Sequence, residues 1–293
     1  MIEYLSFKVV LDLVNEWAKI ELERRNLVLD NQLSAFMQLQ NYLGKIVLTK
    51  PRKVSCSKHF HLTKDYHDNY EKLKLKIIKG DNINSFLSRK LNKSFFVDGL
   101  LDHYGCHHFH FKESGTHLIA IAIVTDDEIF FIDAKPHGNS YPKTWTDTNV
   151  LEILSQERPD LIRCIKYLDK KDDPILLTQQ QIVDLRNIGC NFLVTLNNGD
   201  SYMSANYGNL WHPSKSKRLS VKHFDRLNFS VREIQYAVNL FISKKKERYD
   251  FKIENLEIFD LESKDYRVFD KFKVKITYTK DDFKGQLTEV FQR

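Results

Sequence analysis

The chain of 293 residues contains only four cysteines, and no two of them form a C-x-x-C pair. They lie far apart in the sequence, at Cys56, Cys106, Cys164 and Cys190. This spacing argues against a cysteine-based structural zinc site and against a disulfide framework. We therefore expect the protein to work in a reducing compartment, the cytoplasm.

Long apolar runs are also missing from the sequence. No stretch approaches the roughly twenty apolar residues that a helix needs to cross a bilayer. The chain opens without a basic region followed by an apolar run, so we expect no signal peptide and no membrane partner. Hydrophobic residues make up 42% of the chain and charged residues 29%, which is typical of a soluble globular protein with one or two domains.

The net charge of +6 is modest, but it is concentrated in one segment. Residues 212–248 contain ten Lys or Arg and only three acidic residues, so this segment carries the whole excess. Such a surface predicts a polyanionic partner, namely nucleic acid. The alternative is ordinary solvated surface, since lysines near a helix C-terminus favour the helix dipole whatever the function. The candidate phosphate contacts are Lys215, Lys217, Arg218, Lys222 and Arg226.

Periodicity predicts an α+β fold, in which a central antiparallel sheet is flanked by helices and followed by a strand-rich C-terminal region. The predicted helices cover 7–26, 31–43, 69–79 and 146–156, with two more beginning at capping boxes after Thr178 and Ser230. The predicted strands cover 106–111, 117–124 and 128–135, a hairpin within 192–203, and three or more strands within 251–291. We divide the chain into three regions, 1–91, 92–212 and 213–293, with a single domain as the alternative.

Six of the eleven histidines lie between residues 98 and 137, where the three central strands form an antiparallel meander. Because successive strand residues point to opposite faces, His108 and His110 share one face and His107 lies on the other. In such a meander, the end of the first strand, the start of the second and the end of the third all lie at the same edge of the sheet. The meander therefore predicts that His110, His117 and His137 converge.

Two chemistries suit this histidine cluster. Neutral imidazoles could hold a metal ion that activates water, or the histidines could act directly as general base and general acid. The cofactor is accordingly either absent or a divalent metal ion. The alternative is that the histidines are structural. The candidate catalytic residues are His108, His110, His117 and His137.

The third strand ends in Asp133-Ala134-Lys135, which resembles the D-x-K half of the PD-(D/E)XK nuclease motif. In that family two acids hold magnesium and the lysine polarises the attacking water. The resemblance requires a second acid, for which Glu113 and Asp98 are candidates. The candidate metal ligands, taken with the histidines, are Asp133, Glu113, His108 and His110.

The segment 98–110 resembles a group of bacterial proteins of unsettled function that carry a D-x-L-L-D-x-x-G-x-H-H-x-H pattern. More loosely, residues 98–138 are similar to the sheet of RelE/ParE toxins, which include ribosome-dependent ribonucleases. This resemblance implies an endoribonuclease acting as a toxin or phage-defence effector, with an antitoxin or another protein as a further partner. We expect RNA cleavage, with a non-enzymatic nucleic-acid- or protein-binding module as the alternative and a metal-dependent DNA nuclease third.

Overall fold

The computed structural model describes most of the first two-thirds of the chain and selected segments after it. The described residues are 6–167, 177–188, 192–203, 209–210, 219–220, 228, 231–232, 235–236, 239, 252–260, 271–280 and 283–292. Within these ranges, no helix combines the length and the apolar character required to span a membrane.

Helices and strands are mixed along the chain, as the α+β prediction requires. The helices are α1 (Phe7–Arg24), α2 (Ala35–Leu43), α3 (Lys64–Lys79), α4 (Gly99–Tyr104), α5 (Asn149–Glu157) and α6 (Gln179–Ile188). The strands are β1 (Lys53–Cys56), β2 (His107–His110), β3 (Leu118–Val124), β4 (Glu128–Pro136), β5 (Ile165–Tyr167), β6 (Leu193–Thr195), β7 (Ser201–Met203), β8 (Asn209–Leu210), β9 (Leu219–Ser220), β10 (Lys252–Asp260), β11 (Lys271–Lys280) and β12 (Phe283–Gln292).

The chain separates into two compact units, whose boundaries differ from the three regions suggested by the sequence. Unit 1 consists of Met1–Gly44, Asn92–Phe95 and His223–Arg293, and unit 2 of Lys45–Leu91 and Phe96–Lys222. Unit 2 contains every histidine of the central meander.

Unit 1 contains α1, α2 and the antiparallel sheet β10-β11-β12, which confirms the predicted C-terminal strands. The buried side chains of α1 recur every four residues, at Val10, Val14, Ala18 and Leu22, so they form one apolar stripe. The Ser6 hydroxyl accepts a hydrogen bond from the Val9 N–H and begins this helix.

Unit 2 is built on a four-stranded sheet in the order β1-β4-β3-β2. Strands β2, β3 and β4 pair antiparallel, which confirms the predicted meander. Strand β1 pairs parallel with β4, so the sheet is mixed rather than purely antiparallel. The sequence indicates a short polar connector at residues 51–57 with a strand as the alternative, and the structure confirms the strand.

Both faces of β3 are buried, as its continuous apolar sequence predicts. Ile119, Ile121 and Ile123 share a core with Val150 and Leu154 of α5. The other face carries Phe109 and Phe131, with Tyr70 of α3 packed 5.4 Å from the Phe131 ring. Complete burial of the Phe109 or Phe131 side chain stabilises the fold by roughly 1.5–3 kcal/mol.

The segment before β2 is the short helix α4. The Asp98 carboxylate caps α4 by accepting hydrogen bonds from the Leu100 and Leu101 N–H groups. Gly105 ends the helix with a left-handed φ of 69°, a conformation that costs glycine little. The helix is too short to show periodicity, and its two caps are therefore its only sequence signal.

Two helix starts differ from the predictions, and one is confirmed. Helix α3 begins at Lys64, five residues before the predicted start. Helix α5 is preceded by Thr148, because Thr146 belongs to the 3₁₀ turn Pro142–Thr146. The capping box at Thr178 is confirmed by the hydrogen bond from the Gln181 N–H to the Thr178 hydroxyl. The predicted hairpin within 192–203 is confirmed as β6–β7. The other predicted capping box, at Ser230, lies outside the described residues.

Candidate active site

Strand β2 directs two histidines towards the α5 face of the sheet. His108 pairs with Ile121 and His110 with Ile119, and cross-strand partners share a face. His107 pairs with Ala122 and therefore lies on the opposite face, as predicted. All three histidines are buried. The sheet register thus separates one structural position from two candidate site positions.

His108, His110 and His137 form a triangle of imidazole rings. The ring centroids are 4.9 Å apart for His110 and His137, 5.8 Å for His108 and His110, and 6.5 Å for His108 and His137. We call these three residues the histidine cluster. His137 is the most accessible of them, because it follows the end of β4, whereas the other two are within β2.

His137 is held by the backbone of His117. Its backbone N–H and its Nδ1 both donate to the His117 carbonyl oxygen, at 2.9 Å and 2.8 Å. The His117 ring instead packs against the exposed Tyr141, with centroids 5.1 Å apart. The predicted convergence therefore involves the rings of His110 and His137, and the main chain of His117.

The turn after β2 holds His110 through the backbone of Thr116. His110 Nδ1 lies 3.0 Å from the Thr116 N–H and 3.2 Å from the Thr116 carbonyl oxygen. In the first contact Nδ1 accepts and the proton of the neutral ring is on Nε2, whereas in the second Nδ1 donates. Burial and the neighbouring His108 and His137 lower the pKa of His110 to about 4, so the ring is neutral at neutral pH.

The hydrogen bond to His117 sets the tautomer of His137. Because its Nδ1 donates to the His117 carbonyl, the lone pair of the neutral ring lies on Nε2. Burial lowers the pKa of His137, and the positive charge of His108 lowers it further, although the hydrogen bond to His117 opposes both effects. A neutral imidazole with a free lone pair suits a general base.

Asp98 lies behind His108. Its Oδ2 is 2.8 Å from His108 Nδ1, although the ring N–H is not aligned well enough for a regular hydrogen bond. Burial raises the pKa of the Asp98 carboxyl, but His108 and the Leu101 N–H outweigh burial and hold that pKa below its ordinary value. A charged carboxylate at this distance requires a proton on His108 Nδ1.

The aromatic ring of Trp145 covers one side of the histidine cluster. Its centroid is 5.1 Å from that of His108 and 5.8 Å from that of His137. Two hydrogen bonds anchor its turn: the Thr144 hydroxyl donates to the Pro136 carbonyl at 2.7 Å, and the Tyr104 hydroxyl to the Thr146 carbonyl at 3.1 Å. An apolar wall of this kind strengthens electrostatic interactions in the site.

Asp133 and Lys135 lie on the same face of the sheet as the histidine cluster, since they pair with Ile121 and Ile119. Lys135 Nζ lies 3.3 Å from Asp133 Oδ2 and also contacts the carboxylate of Asp147. Burial lowers the pKa of Lys135, but the Asp147 and Asp133 carboxylates outweigh burial and raise it. The second acid beside the D-x-K motif is therefore Asp147, and neither Asp98 nor Glu113.

The proposed metal ligands do not assemble. In the part of the chain that the structure describes, no group of three or more His, Cys, Asp or Glu side chains is arranged to hold a metal ion. Glu113 is exposed in the turn after β2, and Asp133 pairs with Lys135. The five candidate phosphate contacts between Lys215 and Arg226 lie outside the described residues.

Comparison with known proteins adds nothing to this geometry. No family model, curated protein or solved structure matches the chain. The site's function must therefore be inferred from its own chemistry. The resemblances at residues 98–138 stay predictions.

Chemically, the cluster combines three imidazoles in different surroundings. His137 offers a lone pair, His110 is held by the Thr116 backbone, and His108 lies against the Asp98 carboxylate. Imidazoles within a few ångströms of one another can act as base and acid and move two protons in one reaction. Proton transfer between substrate oxygens is the chemistry for which this set of groups is suited.

Three site residues were missed or misassigned from the sequence. Asp98 carried a signal as a helix cap, but nothing local linked it to His108. Trp145 and Asp147 carried no signal, because they reach the site from a turn after β4. All three residues reach the site through contacts between separate segments of the chain.

Proposed function

We propose that this protein is an endoribonuclease that cleaves phosphodiester bonds with a histidine-based active site. The observation that carries the proposal is the triangle of His108, His110 and His137, in which His137 offers a lone pair on Nε2. RNA suits these groups because its 2′-hydroxyl is an internal nucleophile whose activation requires only proton transfer. DNA has no such hydroxyl and would need an external nucleophile.

In the proposed reaction, His137 Nε2 removes the proton of the 2′-hydroxyl. The 2′-oxygen attacks phosphorus and forms a new P–O bond, while the bond from phosphorus to the 5′-oxygen breaks. His108, supported by Asp98, gives its proton to the departing 5′-oxygen. The neutral His110 donates a hydrogen bond to a phosphate oxygen. The products are a 2′,3′-cyclic phosphate and a 5′-hydroxyl end.

The cellular setting of the proposal comes from the resemblance alone. A cytoplasmic toxin or phage-defence effector would have RNA as its substrate and could have an antitoxin as its protein partner. The basic segment between residues 212 and 248 supports a nucleic-acid partner through its charge.

Asp147 supports a second candidate function, metal-dependent cleavage of DNA. With Asp133 and Lys135 it supplies the two acids and the lysine that such nucleases use. In the ligand-free protein, however, Lys135 contacts both carboxylates. A divalent ion would have to displace the lysine before it could bind, which makes this candidate the weaker one.

A cleavage assay in EDTA distinguishes these functions. The substrates are an RNA oligonucleotide and the same oligonucleotide with 2′-deoxyribose throughout, and each is incubated once in EDTA and once with added Mg²⁺. The proposal requires RNA cleavage in EDTA, 2′,3′-cyclic phosphate ends and an inert deoxy substrate. Cleavage of the deoxy substrate only with Mg²⁺ would support the second candidate. Binding of RNA without cleavage under any condition would identify a non-enzymatic binding module.

A further inference from the structure

Arg89 approaches the histidine cluster from a separate part of the chain. It begins the 3₁₀ turn Arg89–Asn92, whose start follows the buried residues Phe86 and Leu87. A Cβ atom built on Gly115 would lie 3.7 Å from Arg89 Nε and 3.8 Å from His110 Nδ1. The guanidinium and the imidazole therefore flank the same glycine, whose φ of 89° disfavours any larger residue.

The charge of Arg89 is not neutralised by a neighbouring acid. Its side chain is exposed and forms no ion pair with a carboxylate among the described residues. Two other cations of unit 2 have partners: Arg158 pairs with Glu128 at 3.0 Å, and Lys90 lies 5.3 Å from the centre of the Phe96 ring. Arg89 is therefore a free positive charge beside the histidine cluster.

The surroundings of His110 are positive as a result. Burial is the main cause of its low pKa, and the charges of His108, His137 and Arg89 all lower that pKa further. The hydrogen bond with Thr116 is the opposing influence. A permanent positive charge beside a buried imidazole, as Arg89 provides, would be stabilised by a bound anion.

We propose that Arg89 is a substrate-binding residue that contacts the phosphate beside His110. The proposal rests on the proposed function for the identity of the anion, a phosphodiester in RNA. Arginine presents a planar fork of N–H donors that matches two phosphate oxygens, and this contact would place the phosphorus between His110 and the base. Arg89 also stabilises the additional negative charge that develops on the phosphate as the 2′-oxygen attacks.

Binding can be measured separately from cleavage. A fluorescein-labelled 2′-O-methyl RNA oligonucleotide has phosphates but no free 2′-hydroxyl, so it binds without reacting. We expect Arg89→Ala to weaken its binding about 10- to 100-fold, with an unchanged melting temperature. Arg89→Lys should recover part of the affinity, because it keeps the charge and loses the fork. The matched control is Lys90→Ala, which removes one positive charge from the same turn.

A second measurement follows His110 directly. By NMR titration, Arg89→Ala should raise the pKa of His110, and Arg89→Lys should not. Wild-type affinity in Arg89→Ala, or an equal loss in Lys90→Ala, would overturn the role of Arg89 while RNA cleavage by the wild type still supports the proposed function. Arg89-dependent binding without any cleavage would keep Arg89 as a phosphate contact and reject the ribonuclease. Absence of binding by the wild type would reject Arg89.

Discussion

The carbonyl oxygen of His117 accepts two hydrogen bonds from His137, one from its backbone N–H and one from its Nδ1. These bonds orient the His137 ring and leave its Nε2 lone pair available. Since the acceptor is a backbone atom, the contribution of His117 does not depend on its side chain. His117 and His137 are therefore expected to respond differently to substitution.

The first prediction compares these two positions. His137→Asn keeps a side-chain N–H that can reach the His117 carbonyl but removes the base, so cleavage should fall roughly 10²- to 10⁴-fold. His117→Ala keeps the carbonyl and should retain cleavage near the wild-type rate. Initial rates and melting temperatures of both variants provide the check. Comparable loss of cleavage in His117→Ala would return that ring to the catalytic group.

The second prediction concerns Asp98, which both caps α4 and lies against His108. Asp98→Asn preserves the capping oxygen and removes the charge, so we expect stability close to that of the wild type and cleavage reduced about 100-fold or more. Asp98→Ala should also lose the cap and about 1 kcal/mol of unfolding free energy. Chemical denaturation and cleavage rates measure the two effects. An active Asp98→Asn variant would limit Asp98 to capping.

The third prediction follows from the low pKa of His110. Between pH 6.5 and about 4, the unfolded chain binds more protons at His110 than the folded protein does. Stability contributed by the neutral ring is thus complete above pH 6.5 and decreases as the pH falls, by at most about 3 kcal/mol. His110→Gln should show a smaller decrease over this interval. If the unfolding free energies of the two proteins decreased equally from pH 7 to pH 4, the low pKa assigned to His110 would be contradicted.

The fourth prediction tests the two faces of the sheet. His107 is buried on the face away from the histidine cluster, so His107→Ala should lower the unfolding free energy by roughly 1–3 kcal/mol. The folded fraction should retain its cleavage rate, in contrast to His137→Asn. Rates normalised to the folded concentration make this comparison. Complete inactivity of folded His107→Ala would show that both faces take part.

The fifth prediction concerns the basic segment 212–248, whose candidate phosphate contacts lie outside the described residues. Replacement of Lys217, Arg218 and Lys222 by Ala should weaken RNA binding and reduce the dependence of log K on log salt by roughly one unit for each lost contact. The matched control replaces the three lysines at 244–246, which suit a helix C-terminus. Anisotropy titrations at several salt concentrations give the slopes. An unchanged slope would assign the first three residues to ordinary surface.

Several features of this protein were determined by the sequence itself. The separation of His107 from His108 and His110 follows from a two-residue period, and the buried β3 at the centre of the meander follows from its continuous apolar run. The capping box at Thr178 is similarly local, because its two partners are three residues apart. In each case the interacting positions are close in the chain, so their spacing alone constrains the geometry.

Other features were decided only by the tertiary structure. Strand β1 joins β4 across about seventy residues of sequence, and Arg89, Asp98 and Trp145 reach the histidine cluster from three different elements. Local propensity says nothing about which surfaces meet, because that depends on how helices and strands bury their apolar faces together. The identities of the histidines were thus readable in the sequence, whereas the groups that set their protonation required the packed fold.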